Sequence, residues 1–493
     1  MGELPSAALK VLHITTEMAP FAKQGGLGDV LGSLPKAMRA MGVDARVLMP
    51  AFPGVLESAA KHGHSITRLP DKVHVAIDWR VYSASVLQAD VGGLAVYMLE
   101  QPELYSNPSI YPMSLNLETV MPFAFLSMAG LELPGAVGWK PDVIHVHDWF
   151  TSILPIALRW HRHYGAMRSD YDVVLTVHNL SYQGVIEQPV LSAWGLTSEA
   201  FSMDSMEFYG QANILKGGII TADAITTVSP RYSWDIQTPD GGFGLHGLFG
   251  ALRGKLTGIL NGIDYDVWHP DIDDELPAKF DANDMSGKAL CKERLLDRCG
   301  WTDDGRPVAL FVGRLVPQKG VDVLFTALER MLGRSCRAVV IGSGLSQYED
   351  WARELASLYP ENFWCFIGFG EDIAHLAYAG ADILLMPSLF EPCGLSQMIA
   401  MAYGTIPVVR NTGGLSDSVI DFDGSPDGTG FIFSDYSAEE LAQATYRAID
   451  AFDDKGRWAA VTRNAMTSDF SWAASTAAYV RLYDNLRSGN LLT

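Results

Sequence analysis

The chain has 493 residues, 48% hydrophobic and 19% charged, which excludes a disordered chain and calls for two or three separately cored domains. Thirty-six basic residues against 57 acidic ones give a formal charge of −21, which argues against nucleic acid or an anionic membrane surface as the main partner. Every window long enough to cross a bilayer carries a charge, and the N-terminal residues lack a signal-peptide pattern, so a cytoplasmic protein with no membrane partner is expected.

From the N-terminus, short β-branched runs alternate with segments of helical period. Val11 to Thr15, Ala45 to Met49, Leu94 to Leu99, Asp142 to His147, Val173 to Val177 and Ala224 to Val228 read as parallel strands buried on both faces. A polar, acidic stretch follows Trp268-His269-Pro270, and the pattern then restarts with Val308 to Val312, Ala338 to Ile341, Phe363 to Ile367, Ile383 to Met386 and Ile406 to Val409. The expected fold class is α/β, with two doubly wound Rossmann-like domains over 1–264 and 265–470 facing a cleft, and a closing helix within 471–493. The five cysteines (Cys291, Cys299, Cys336, Cys365, Cys393) show no C-x-x-C spacing, so reduced thiols are expected, without disulfides or zinc.

Four glycine-bearing segments stand where a strand should hand over to a helix. Lys23-Gln24-Gly25-Gly26-Leu27-Gly28-Asp29 joins a cation to amides that can approach an anion closely, although its spacing fits neither the dinucleotide nor the P-loop pattern. Gly313-Arg314-Leu315, with Lys319-Gly320 behind it, places two cations at a second such mouth, which suits a diphosphate. In Phe390-Glu391-Pro392-Cys393-Gly394-Leu395-Ser396, a carboxylate at the mouth can grip sugar hydroxyls or stabilise an oxocarbenium ion, and the amides can hold hydroxyls or phosphate. Asn411-Thr412-Gly413-Gly414 is the fourth. His147-Asp148-Trp149 and His178-Asn179 close parallel strands with donors, acceptors and an aromatic face, a mixture that hydroxyl-rich ligands want. His145 reads as structural, and a metal is rejected because no third or fourth ligand has suitable spacing.

Together these segments resemble the bacterial glycogen synthase and plant starch synthase family of retaining glucosyltransferases. The likeness runs through KQGGLGDV, HVHDW, TVHNLSYQG, EFYGQ, ITTVSP, ILNGID, GRLVPQKG, FEPCGLSQM, YGTIPVVRNTGGLSDSV, GTGFIF and the final FSW. It implies a GT-B fold and transfer of glucose from ADP-glucose, or less often UDP-glucose, to the nonreducing end of an α-1,4-glucan. It implies no cofactor or metal, and it sets no oligomeric state.

Carried over by residue, the resemblance implies a catalytic set of Glu391, Arg314, Lys319 and His178. The donor would meet Lys23, Gly25, Gly26, Asn261, Phe369, Cys393, Gly394, Leu395 and Ser396, and the acceptor would meet Asp29, Tyr105, Asp148, Trp149 and Asn179. Departures from the family pattern are Gln24, Leu389, Met121-Pro122-Phe123 and Phe150. Those in the acceptor region keep two alternatives open: a transferase with another acceptor, or a weakly catalytic glucan-binding paralogue.

Overall fold

The computed structural model of the chain describes residues 8–107, 109–332, 336–368 and 370–489. They form two units. One holds the chain up to Val228, Ser233–Ile259 and the segment from Trp472 on; the other holds Ser229–Tyr232 and Leu260–Ser471.

In the first unit the strands are β1 (Lys10–Ile14), β2 (Asp44–Pro50), β3 (Ile66–Ile77), β4 (Arg80–Val91), β5 (Leu94–Glu100), β6 (Val143–His147), β7 (Asp172–Val177), β8 (Val185–Ile186), β9 (Glu207–Phe208), β10 (Gln211–Asn213), β11 (Ala224–Thr227) and β12 (Leu256–Gly258). Among the described residues nine of them form one sheet, in the order β12-β11-β7-β6-β1-β2-β5-β4-β3, while β8, β9 and β10 form a small antiparallel sheet. The central runs KVLHI, VIHVH and DVVLTV are almost wholly buried, as expected of parallel strands covered on both faces. The hairpin β3–β4 and its antiparallel pairing with β5 were not anticipated from the sequence.

In the second unit β13 (Val308–Val312), β14 (Arg337–Gly342), β15 (Phe363–Ile367), β16 (Ile383–Met386), β17 (Ile406–Arg410) and β18 (Phe431–Phe433) pair in parallel in the order β15-β14-β13-β16-β17-β18. Counted along the chain, that order is third, second, first, fourth, fifth, sixth. The parallel strands of the first sheet follow the same rule, with β5, β2 and β1 on one side and β6, β7, β11 and β12 on the other. Strand order therefore reverses between β1 and β6 in one sheet and between β13 and β16 in the other. A ligand crevice forms outside the carboxyl ends of the strands at such a switch point.

The helices that matter for the site are α1 (Gly26–Ala40), α2 (Leu117–Val137), α3 (Val321–Met331), α4 (Ser396–Ala402), α5 (Gly413–Ser418) and α6 (Trp472–Arg487). In α1 the residues Leu27, Val30, Leu31, Leu34 and Met38 recur at helical spacing, are buried, and lie on the face that packs against the sheet and α6. Asn116 and Thr119 form a capping box at the start of α2, and Gly138 ends it in the left-handed region. By length and apolarity α2 could cross a bilayer, yet most of it is buried, packed on β3.

Candidate active site

In the second unit, the turn after β13 carries Arg314, exposed at the strand end, and Lys319, which closes a short 3-10 turn (Pro317–Lys319) before α3. Across the switch point, β16 leads into Pro387-Ser388-Leu389-Phe390-Glu391. Glu391 is 5% exposed, and Lys319 Nζ lies 2.5 Å from its Oε2, to which Ser388 Oγ also donates at 3.1 Å.

Two glycines explain how this loop is held. Gly320 (φ +68°) lies so close to the Pro387 carbonyl that an added Cβ would stand 2.0 Å from its oxygen. Gly413 (φ +45°) does the same to the Glu391 carbonyl, at 1.9 Å, while the next amide, Gly414 N–H, donates to that carbonyl at 3.0 Å. Both need the left-handed region and a missing side chain at once. Leu389 N–H donates to Gln318 O at 2.9 Å, and the Arg410 guanidinium donates to the carbonyls of Ser388 and Leu389. The 387–391 loop is thereby clamped from the turn after β13 on one side and the β17–α5 turn on the other.

Beyond it, Cys393 is buried, and burial pushes its thiol up to about 12, so it is a neutral packing group. Gly394, Leu395 and Ser396 are half-buried at the start of α4, whose first N–H groups have no partner within the helix. Gln397, fully buried, donates to the carbonyls of Cys393 and Gly394 and to Ser418 Oγ, which fixes the turn. Asn261 is 6% exposed, and its Oδ1 accepts no hydrogen bond, an unsatisfied buried acceptor of the kind a ligand hydroxyl would complete. Phe369 lies outside the described residues.

In the first unit, the 23–29 turn follows β1. Gly25 and Gly26 are exposed, and Lys23 and Asp29 are half-buried and paired at 2.7 Å. The Gln24 and Gly25 amides already donate to a buried carboxylate, Glu17 Oε2, and the Tyr111 hydroxyl donates to Glu17 Oε1. Burial raises the Glu17 pKa above the usual carboxylate range. Glu17 and Tyr111 were missed in the sequence. The one signal was an acidic residue closing the run His13-Ile14-Thr15-Thr16-Glu17, at the carboxyl end of a central strand.

Across that switch point, β6 ends at His147 and the chain turns through Asp148, held at φ +55°. Asp148 Oδ1 accepts from the amides of His178 (2.7 Å) and Asn179 (3.4 Å), so it ties β6 to the end of β7. Burial lifts its pKa to about 7, with Glu17 adding to the rise. Asn179 Oδ1 accepts from Ser181 N–H and Oγ, and His178 is half-buried.

Two expected acceptor residues are not open to a ligand. Trp149 is buried, one ring face covered by Gly184, whose added Cβ would lie 2.6 Å from the indole, and it packs on Phe150 and Phe123. Tyr105 is buried against Phe52 and Phe125, and its hydroxyl donates to Pro122 O. Sequence identifies an aromatic at a strand end or loop, but not the face it turns to; here the core takes both.

The fold supplies the third imidazole that spacing along the sequence did not show. His13 brings a third imidazole to His145 and His147, within reach of one ion by distance. The nitrogens are already spent, however. Thr176 Oγ1 (2.6 Å) and Tyr483 OH (2.7 Å) hold His145, whose ring stacks on His147 at 4.3 Å, and His13 and His147 meet each other at 3.3 Å. Stacked rings do not converge their lone pairs on a common ion.

Residues 10–251 match the model of the starch synthase catalytic domain, and residues 300–463 match that of glycosyl transferases group 1. With two doubly wound sheets of this order, the chain is a glycosyltransferase of the GT-B fold. It is 41% identical over 481 residues to a glycogen synthase of Anaeromyxobacter sp., covering 97% of this chain and 99% of that protein. A Bacillus cereus glycogen synthase is 37% identical over 97% of this chain and 100% of its own. The chain belongs to the glycogen synthase family. The catalytic domain of Arabidopsis thaliana starch synthase IV, solved bound to ADP and acarbose, superposes with TM-score 0.90 at 32% identity, over 98% of this chain and 100% of that one. Sucrose-phosphate synthase from Thermosynechococcus elongatus shares the fold at 16% identity and TM-score 0.61, over 98% and 100% of the two chains.

Proposed function

We propose that this protein transfers glucose from ADP-glucose to the nonreducing end of an α-1,4-glucan such as glycogen, with retention of configuration, in the cytoplasm. In this reading residues 1–264 serve the acceptor, 265–470 serve the nucleotide sugar, and the closing helix within 471–493 crosses back to the first domain. The observation that carries it is the pairing of half-buried Lys319 with the buried carboxylate of Glu391 at the switch point of the second sheet. Breaking the anomeric bond develops positive charge on the sugar and negative charge on the diphosphate. A buried carboxylate stabilises the first, and Arg314 and Lys319 the second, more strongly in the transition state than in the ground state. No metal ion is invoked for this neutralisation.

Asn261 Oδ1 and His178 would meet glucose hydroxyls, and the amides of Gly394, Leu395 and Ser396 would hold donor oxygens. Lys23 and the Gly25-Gly26 turn offer charge and donors to an anionic group, with Asp29, Asp148 and Asn179 toward the glucan. The ADP and acarbose in the starch synthase IV structure support a nucleotide donor and a glucan-like ligand.

The test is nucleotide release from ADP-glucose and from UDP-glucose, each with and without glycogen, for the wild type and Glu391→Ala. Release from ADP-glucose that requires glycogen, lost by orders of magnitude in a folded Glu391→Ala, is expected. Near-normal turnover in that variant would overturn the site. Donor binding without glycogen-dependent turnover would redirect attention to the changed residues Pro122, Phe150 and Leu389, and to another acceptor or a binding role.

A further inference from the structure

Register places His13 beside His145 on neighbouring strands, and the two-residue period of β6 puts His147 on the same face as His145. All three are essentially inaccessible to solvent. A line of contacts runs through them: Met38 Sδ to His13 Nε2 at 3.3 Å, His13 Nδ1 to His147 Nε2 at 3.3 Å, and His147 Nδ1 to His178 Nε2 at 3.0 Å. His145 stands outside the line, stacked on it, both of its nitrogens engaged by hydroxyls.

The direction of this line follows from its far end. A thioether sulfur has no proton to give, so the His13–Met38 contact is attractive only if His13 Nε2 carries the hydrogen. A neutral imidazole has one N–H, so His13 Nδ1 must then accept, and His147 Nε2 must donate to it. The same step repeated at His147 makes His178 Nε2 the donor and leaves His178 Nδ1 a bare lone pair. The opposite order would set two lone pairs, those of His13 Nε2 and Met38 Sδ, against each other. Burial lowers the His13 and His178 pKa values to about 3 and that of His147 well below the usual histidine range, so none carries a second proton near neutral pH.

We propose that Met38, His13 and His147 are positioning residues that fix the tautomer of His178, so that its Nδ1 is an obligate acceptor and receives a hydrogen bond from a substrate hydroxyl. The assignment of that hydroxyl to the transferred glucose rests on the function proposed above; the tautomer itself does not. His178 therefore distinguishes a hydroxyl from a group that can only accept, and it does so through a sulfur three side chains away.

Nitrogen NMR of the protein labelled at histidine nitrogen, with His178→Gln identifying the signal, tests this in the free protein. The expected wild-type spectrum shows His178 in a single neutral form, protonated at Nε2 and bare at Nδ1. Met38→Leu keeps the volume and removes the acceptor. It should produce a mixture of tautomers and, if the two become equally populated, raise the apparent ADP-glucose constant about two-fold. A wild-type His178 protonated at Nδ1, or an unchanged spectrum in Met38→Leu, would overturn the relay. The expected tautomers in a protein that does not turn over ADP-glucose would leave the relay standing and defeat the function instead.

Discussion

Gly320 is a position where a single methyl group should disrupt the candidate active site. Its φ of +68° costs a residue with a side chain about 1–2 kcal/mol. The added Cβ would also lie 2.0 Å from the Pro387 carbonyl oxygen, against 3.4 Å or more for ordinary contact, so backbone must part from backbone by about 1.4 Å. Overpacking of this kind adds roughly 1–3 kcal/mol. The turn that moves carries Lys319 on one side, and the loop that moves carries Glu391 on the other. A shift of that size converts their 2.5 Å ion pair into a separation too long for a charge-assisted hydrogen bond.

Misplacement of a reacting group by about 1 Å can cost about 10²-fold in rate. We therefore predict that Gly320→Ala lowers stability by roughly 2–5 kcal/mol. Turnover of the molecules that remain folded should fall about a hundred-fold. The assay is nucleotide release from ADP-glucose with glycogen, normalised to folded protein, beside a urea unfolding curve. Gly413→Ala, which meets the Glu391 carbonyl in the same way, should behave alike. Wild-type turnover and an unchanged unfolding midpoint in Gly320→Ala would refute the clamp.

Asp148 should make stability depend on pH. The folded protein holds its proton up to a pKa of about 7, while the unfolded chain releases it near 3.8, so stability falls as pH rises through that window and is flat above it, by at most about 4 kcal/mol. Asp148→Asn keeps an oxygen for the His178 and Asn179 amides and should flatten that slope in denaturant titrations between pH 4 and 7; an equally steep slope in the variant would reject the assignment. Glu17→Ala leaves the Gln24 and Gly25 amides without their acceptor, so the turn before α1 should loosen. We predict a loss of about 1–3 kcal/mol and a higher apparent donor constant, read from urea curves and ADP-glucose saturation, and a donor constant equal to the wild type would count against it.

The parallel cores were legible because their strands are nearly continuous apolar runs, and such runs have few alternatives in a chain that also contains helical periods. The hairpin β3–β4 was not, for a related reason. It lies at the sheet edge with one face in water, so Arg68, Asp71 and Lys72 interrupt its apolar residues, and a register shift between Arg68 and Lys72 breaks the alternation. Its turn, Asp78-Trp79, uses a non-glycine residue at φ +50°, where a hairpin search looks for Asn-Gly or Asp-Gly.

The candidate site divides along another line. Residues whose proposed role follows from backbone position, such as Lys319 and Glu391 in the loops after β13 and β16, could be singled out because a strand end facing a switch point is defined by chain order alone. Residues whose role follows from a side-chain direction could not. Trp149 and Tyr105 have suitable chemistry and the wrong orientation, while Glu17 has the right orientation and meets Tyr111 across 94 residues of sequence. The same holds for what keeps the site in place. A carbonyl nested on Gly320 and a sulfur facing His13 leave no motif, because each is a contact between segments that only the folded sheets bring together. In both units the residues proposed for the chemistry sit at the reversal of strand order, and their placement is set by neighbours that carry no chemistry themselves. Substitutions at Gly320 and Gly413 should therefore lower turnover, and one at Met38 should raise the apparent donor constant, while every group proposed to touch substrate remains in the sequence.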